Sequence, residues 1–264
     1  MKIFKLASVV FVIVMLLVTS MPAGAVTDGQ PDGGGHPFVG IMVGFDEEGP
    51  AWSCSGTLIS PTVFLTAGHC VDGAVGDIQI WFDADVEAGY PANGFPWTGS
   101  ASGTGYLYPE YNFPLGDVGV VILNEAVDMP VYGQLPSVNQ LDALKTKRGV
   151  QDVTFTAVGY GMQKSFPDAA AWKNQGDYVR MVAYPHLIQI NVPGFTGNFS
   201  LLLSNNAATG GTCFGDSGGP NFLGNTNIVA GVTSFGINGN CAGTGGVFRM
   251  DRKGPLEWVQ SFLK

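Results

Sequence analysis

The sequence predicts an all-β fold, a barrel or a sandwich, and three observations lead there. Glycine occurs 39 times and proline 16 times in 264 residues, so turns must be frequent and regular elements short. Apolar or β-branched runs recur between Gly, Pro and Ser punctuation, the pattern of successive strands. Helical spacing of apolar residues appears at the C-terminal end, where Leu256, Val259, Phe262 and Leu263 form a stripe behind Pro255. The formal net charge of −9 argues against a polyanionic partner such as nucleic acid.

The elements follow in chain order. Lys2 and Lys5 precede an apolar run from Leu6 to Val18, and Pro22-Ala23-Gly24-Ala25 carries the small-x-small pattern of a cleavage site. Residues 1–25 therefore read as a secretory signal peptide, the run being short for a bilayer span. The mature chain is expected to be secreted and extracellular, to leave the membrane after cleavage, and to form one compact, monomeric unit of about 240 residues. Four cysteines in an exported chain predict two disulfides among three possible pairings. A four-cysteine zinc site lacks its Cys-x-x-Cys pairs, and no metal or organic cofactor is expected.

Strands are expected at 38–43, 55–59, 63–66, 78–82, 105–108 and 117–123. His69 follows the third of these in Leu-Thr-Ala-Gly-His-Cys, a small turn beside a cysteine that would hold an imidazole still. Asp117 opens an apolar strand and needs a partner, because burying a lone carboxylate is expensive. Asp83, Asp85 and Asp128 sit in turn-rich surroundings and are weaker candidates. The segment from Asn124 to Arg148, with Pro130, Pro136, Lys145 and Lys147, reads as a crossing between two halves. Beyond it, 153–161 reads as a strand and 162–176 as a polar loop, and Asn198-Phe-Ser200 is a glycosylation sequon with meaning only in a eukaryotic host.

Gly211-Thr-Cys-Phe-Gly-Asp-Ser-Gly-Gly-Pro220 is the stretch that carries chemistry. Gly218 and Gly219 clear the approach to the Ser217 hydroxyl, and the N–H groups of Gly215 and Ser217 can aim at one point, where an oxyanion would form. A serine hydroxyl needs a base and a group that orients the base. Chain order separates the architectures that use such a set. Gly215 to Gly219 also fits Gly-x-Ser-x-Gly, but that arrangement places its histidine after the serine, and no histidine follows Ser217. A subtilisin-like order would make Ser217 open a helix, which Gly218-Gly-Pro-Asn does not resemble. The order His69, Asp117, Ser217 survives.

Thr-Ala-Gly-His-Cys and Gly-Asp-Ser-Gly-Gly-Pro together resemble the chymotrypsin/trypsin family of secreted serine peptidases. The resemblance implies two antiparallel six-stranded β-barrels, about 36–125 and 149–250, with the active site in the cleft between them and a C-terminal helix at about 255–263 that packs on the second barrel. It implies a catalytic triad of His69, Asp117 and Ser217, with Asp117 matching the family's Asp-Ile-Ala-Leu-Leu strand, and disulfides Cys54–Cys70 and Cys213–Cys241. Tyr160 takes the place of the tryptophan in the family's Gly-Trp-Gly. Val26-Thr-Asp-Gly29 occupies the place of the activating N-terminus, whose amine pairs with the acid before the nucleophile, here Asp216. Signal peptidase itself would then create the activating amine, with removal of a short propeptide as the alternative. The family's calcium-loop acids do not map cleanly onto 72–87, so no ion is expected.

Specificity is also read through the resemblance. Gly211 stands where trypsin-like members carry the aspartate that attracts Arg or Lys. With Thr212, the edge Ser234-Phe235-Gly236 and Gly246, it would leave a deep uncharged slot for a large apolar or aromatic residue before the scissile bond. Ile237-Asn-Gly-Asn240 lengthens the rim, which leaves an elastase-like preference for small residues as one alternative. A catalytically silent binding member of the fold is another. Protein or peptide substrates are the expected partners, with a protein inhibitor as a further candidate.

Overall fold

The first half alternates apolar and small residues along short strands, and these strands close on themselves. In the computed structural model, which describes residues 26–144, 152–165 and 174–263, β1 is Gln30–Pro31, and β2 (Val39–Asp46), β3 (Gly49–Ser60), β4 (Val63–Thr66), β5 (Ile78–Trp81), β6 (Ala101–Leu107) and β7 (Gly119–Leu123) follow. Strands β2 to β7 form a closed antiparallel barrel in the order β2-β3-β4-β7-β6-β5. Ile41, Leu58, Phe64, Ile80, Trp81 and Val120 on these strands belong to one core cluster and are essentially without solvent contact. The signal-peptide reading falls on residues 1–25, outside the described residues, as do the three cations of the crossing.

The second half contains β8 (Phe155–Gly159), β11 (Met181–Ala183), β12 (Leu187–Val192), β13 (Gly197–Asn205), β14 (Pro220–Leu223), β15 (Val229–Gly236) and β16 (Gly243–Arg249). Two short strands, β9 (Lys164–Ser165) and β10 (Asn174–Gln175), pair with each other. The rest form an eight-stranded sheet with β1, in the order β1-β11-β8-β14-β15-β16-β13-β12. Pro185, which has no N–H to give a ladder, separates β11 from β12. Just beyond it, a Thr154–His186 bridge and the bonds Phe155 N–H to Pro185 O (2.9 Å) and Leu187 N–H to Val153 O (2.8 Å) tie the β12 end back to β8. The six strands from β8 to β12 thus curl into the second barrel, around Phe155, Leu187, Leu201, Leu203 and Val247.

Short helices α1 (Gly68–Val71), α2 (Val86–Gly89) and α3 (Lys253–Gln260) complete the described structure with a 3-10 turn at Gln140–Ala143. The C-terminal helix buries Leu256 and Val259 as its stripe predicts, and its aromatic residues also reach the first half. Trp258 packs edge-on to Tyr108 (5.4 Å between centroids) and Phe262 lies 5.5 Å from Tyr106, both from the first half. The stripe identifies a buried face; it carries no information on which apolar surface covers it.

The N-terminal segment is held by a buried cation. Arg180 is 2% exposed and donates from Nε to Asp32 Oδ2 (3.0 Å), and from its Nη atoms to Phe82 O (2.9 Å), the Tyr160 hydroxyl (3.1 Å) and Gly33 O (2.6 Å). One guanidinium therefore joins the entry strand to both barrels. This also accounts for Tyr160, whose hydroxyl is in that network and donates to Asp83 O at 2.7 Å. Burial would raise the Asp32 carboxyl, but the bonds and charge of His36 and the bond from Arg180 outweigh it and hold the group below the usual range. Arg180→Met is expected to cost about 3–5 kcal/mol in urea denaturation at neutral pH, because Asp32 is left buried with one cation fewer. With a depressed folded pKa, the Asp32 contribution is present above pH ~4 and lost as the pH falls below it.

Candidate active site

Each candidate side chain is placed by the element that carries it. β4 ends at Thr66, and the turn that comes next opens α1, which carries His69. The Cys54–Cys70 disulfide ties α1 to β3, and the Trp52 indole N–H donates to Cys70 O at 2.9 Å. The second disulfide joins Cys213 to Cys241, so both expected pairings are present. The sulfurs of Cys54 and Cys70 lie close to the His69 ring, but both are consumed in the bridge, so the trio offers a cation no thiolate.

Asp117 is fully buried just before β7 and accepts four hydrogen bonds. His69 donates its backbone N–H to Oδ1 (3.0 Å), and its Nδ1 lies 3.1 Å from Oδ1 and 3.0 Å from Oδ2. The Ser234 hydroxyl donates to Oδ2 at 2.5 Å. A carboxylate accepts, so the Nδ1 that faces it carries a proton and Nε2 points away from Asp117. Sequence reasoning placed Ser234 on the substrate edge and missed its bond to Asp117, since nothing local marks a hydroxyl whose partner is 117 residues away. It also passed over Tyr111, whose ring stands against Gly68. Burial, followed by the charges of Asp117 and Asp72, pushes that phenol up to about 12 and keeps it neutral.

Ser217 lies across the seam. Its carbonyl accepts from Ser55 N–H of β3 at 2.8 Å, and Gly218 N–H donates to Thr233 O at 2.8 Å. Gly218 has φ +78°, and a Cβ there would stand 2.0 Å from Thr66 Oγ1, so only glycine lets the serine turn sit this close to the first barrel. Gly215 has φ +93°, and its carbonyl is held by Ser55 Oγ at 2.9 Å. Among the described residues the N–H groups of Gly215 and Ser217 have no acceptor. No hydrogen bond joins Ser217 Oγ to the imidazole among the described residues, although the two side chains line one cavity. Such bonds are often long in unliganded enzymes and shorten when substrate binds.

That cavity measures about 720 Å³, and neither a carboxylate nor a Lys or Arg side chain lines it. Thr212, Ser234, Phe235 and Gly236 are on its wall as expected, and Phe113, Phe195, Phe214 and Ile237 form an exposed apolar rim. Gly211 and Gly246, expected on the slot surface, are not on it. Gly211 is buried beneath Asn205, whose Cγ would be 2.3 Å from a Cβ at that position. Gly246 lies under the Phe235 ring, and its neighbour Gly245 faces Thr212 instead, with Oγ1 3.1 Å from the Cβ position. The pairing of β15 with β16 slips between Thr233 and Phe235, and a one-residue slip exchanges which glycine faces Thr212.

Asp216 is fully buried and accepts from Cys213 N–H and Gly161 N–H, both at 2.8 Å. Burial pushes its carboxyl up to about 7, against the lowering effect of those two bonds. Val26, also fully buried, packs with Met181 and Ala183. Gly211 N–H donates to Thr27 O at 3.0 Å, which brings Val26 and Thr27 to the segment that carries Asp216.

Comparisons with known proteins agree with this geometry. A family model described as Trypsin matches residues 30–250. Serine protease 1 of Drosophila melanogaster is 26% identical over 243 residues, covering 90% of this chain and 85% of its own. Brachyurin of Leptuca pugilator is 27% identical over 218 residues, or 79% of this chain and 86% of its own. Among solved structures, HL collagenase superposes with a TM-score of 0.69 at 20% identity, over 90% of this chain and 98% of that one. A structure of HBP gives a TM-score of 0.61 at 17% identity, over 86% and 91% of the two chains. With the chymotrypsin-like fold, both disulfides and a family match spanning most of its length, the chain belongs to the trypsin family of serine proteases.

Proposed function

We propose that this protein is a secreted serine endopeptidase that works through an acyl-enzyme, with His69, Asp117 and Ser217 as its triad. The observation that carries the reading is the Ser234–Asp117–His69 chain of hydrogen bonds ending on a cavity shared with Ser217. In the first step Ser217 Oγ bonds to a substrate carbonyl carbon and its proton passes to His69 Nε2. The carbonyl electrons move onto oxygen, where the N–H groups of Gly215 and Ser217 stabilise the charge. His69 then gives the proton to the leaving amine, and water repeats the sequence on the acyl group. Asp117 holds the ring tautomer and stabilises the imidazolium. A neutral imidazole is required at the outset, so activity should fade in acid.

The uncharged cavity, with Thr212 on its wall, supports a preference for a large apolar or aromatic residue before the scissile bond. Secretion agrees with two disulfides, which persist in oxidising compartments. No helix among the described residues is long and apolar enough to cross a membrane. A binding role for a polyanion, as in the name of the heparin-binding neighbour, would ask for a cationic face, and a net charge of −9 opposes it.

A labelled fluorophosphonate tests the chemistry. The secreted protein should be labelled, and Ser217→Ala should not. Absence of labelling in a folded, Val26-starting preparation would refute the catalytic reading. Cleavage-site profiling on a peptide library should then show Phe, Tyr, Leu or Met before the scissile bond. Efficient cleavage after Arg or Lys would sink the specificity assignment alone.

A further inference from the structure

Consecutive peptide planes from Phe214 to Ser217 carry the proposed oxyanion donors, and each plane is tethered. The Phe214–Gly215 plane is held by Met162 N–H, which donates to Phe214 O at 2.7 Å. The Asp216–Ser217 plane is held by Gly219 N–H, which donates to Asp216 O at 2.8 Å. Between them, the Gly215–Asp216 plane is held on both edges. Asp216 N–H donates to Cys213 O at 3.1 Å, and Gly215 O accepts from Ser55 Oγ at 2.9 Å. Backbone groups make the other bonds of this set; Ser55 alone contributes a side chain, and it comes from the opposite barrel. Gly215 sits at φ +93° with no side chain to limit rotation about its backbone, so the grip on its carbonyl fixes the turn between the two donors.

Ser55 has no solvent contact on β3, and its amide, carbonyl and hydroxyl are all engaged. The hydroxyl accepts from Tyr160 N–H at 3.0 Å, which leaves its proton for Gly215 O. The amide donates to Ser217 O at 2.8 Å, and the carbonyl accepts from Thr66 Oγ1 at 2.9 Å. A Cβ at Gly159 would stand 3.1 Å from Ser55 Oγ, and one at Gly219 3.1 Å from Ser55 Cβ, so two bare backbones enclose the side chain. The neighbouring Cys54 is bonded to Cys70, beside His69. The strand that anchors the imidazole turn thus also grips the serine loop.

We propose that Ser55 is a positioning residue for the oxyanion hole, its hydroxyl locking the Gly215–Asp216 peptide so that the N–H groups on either side aim at one point. The proposal rests on the endopeptidase reading. The hydroxyl acts through Gly215 and takes no part in bond making. Without it, Gly215 O and Tyr160 N–H lose a partner, and the plane between the donors is held on one edge only. The donors then have to be reoriented as charge develops on the substrate oxygen, and that reorganisation is what a fixed site avoids. A neutral carbonyl asks little of the donors and the tetrahedral oxyanion asks much, so the loss falls on kcat and spares KM.

The test compares Val26-starting wild type with Ser55→Ala, rates being expressed per active site titrated to completion with a fluorophosphonate. Ser55→Ala should lower kcat about 10- to 100-fold, less than the loss of a donor itself, with KM kept within about threefold. A peptidyl trifluoromethyl ketone, which the serine converts to a tetrahedral oxyanion adduct, should lose affinity by the same factor as kcat/KM. A hydroxyl with a structural role alone would lower the titratable fraction and the urea midpoint while the rate per active site and the ketone affinity stay at wild-type values. That result overturns the proposal, as does a Ser55→Ala enzyme whose KM rises while kcat is kept. Ser55→Gly leaves room for a water between Tyr160 N–H and Gly215 O; it serves if Ser55→Ala does not fold, and should show the same split at smaller size. Wild-type enzyme that fails to label refutes the endopeptidase reading and this proposal with it. Labelled wild type beside unaltered Ser55→Ala kinetics refutes the proposal alone.

Discussion

Asp117→Asn is expected to lower kcat by about 10⁴-fold while leaving the protein folded and its KM within a few-fold of wild type. The size of this effect comes from the acceptor count at one carboxylate. Both oxygens of Asp117 are occupied by donors, two contacts being with His69 Nδ1 and one each with the His69 backbone N–H and the Ser234 hydroxyl. Every one of these requires an acceptor. An amide keeps one acceptor oxygen and places two N–H donors where the carboxylate accepted. If its oxygen takes the place of Oδ1, it keeps the His69 backbone N–H. Its NH₂ then takes the place of Oδ2 and faces Nδ1 and the Ser234 hydroxyl, which can turn to accept, so the imidazole must present a lone pair there. The ring proton is then on Nε2, directed at Ser217, and the ring can no longer accept the serine proton. The measurement is a steady-state comparison across pH, together with the rate of fluorophosphonate labelling. A loss smaller than tenfold in both would remove Asp117 from the triad. Ser234→Ala, which deletes one donor but leaves the tautomer intact, should cost far less than Asp117→Asn.

A chain that begins at Val26 is expected to be at least 10²-fold more active than one that retains residues before it, the scale of a lost oxyanion donor. Asp216 is the reason. In the uncut chain this carboxyl is buried with two backbone N–H donors and no cation among the described residues, and burial raises it to about 7. A free amine at Val26, the residue before the Thr27–Gly211 pairing, would supply the missing charge on reaching Asp216 and would favour the ionised form. The Asp216 backbone lies between Gly215 and Ser217, the proposed oxyanion donors, so whatever fixes its side chain would fix them. Two pH signatures separate the forms. In the uncut chain the folded state binds more protons than the unfolded state between pH ~4 and 7, so its stability should fall as the pH rises through that window. In the cut chain the pair depends on a protonated amine. Its contribution should be present at neutral pH and lost as the pH rises past the α-amino range of about 8. N-terminal sequencing of the secreted active protein, with urea denaturation of both forms from pH 4 to 10, reads these outcomes. A fully active enzyme starting elsewhere than Val26, or parallel pH–stability curves for the two forms, would remove this account of activation.

The sequence was legible where chemistry is local. His69 and Ser217 stand out because their neighbours, an Ala-Gly turn beside a cysteine and a Gly-Asp-Ser-Gly-Gly run, constrain backbone shape within a few residues. The Cys54–Cys70 and Cys213–Cys241 pairings and the all-β class were readable for the same reason, the first through resemblance and the second through turn frequency. Asp117 was readable because an acid opening an apolar strand has few stable alternatives to a buried partner.

What the tertiary structure alone decided depends on register and on surfaces brought together from afar. A slip between Thr233 and Phe235 determines that Gly245, and not Gly246, faces Thr212. The Ser234 hydroxyl meets Asp117 only when the two barrels dock, and Arg180 joins the entry strand to both of them. The C-terminal helix meets Tyr106 and Tyr108 of the first barrel, a surface its own stripe could not specify. Side chains alternate with a period of two along a strand, so a single bulged residue reverses every assignment beyond it. Apolar contact, in turn, has no direction of its own. Motifs can therefore name candidate groups, while the space around them is set by pairings between segments far apart in the chain.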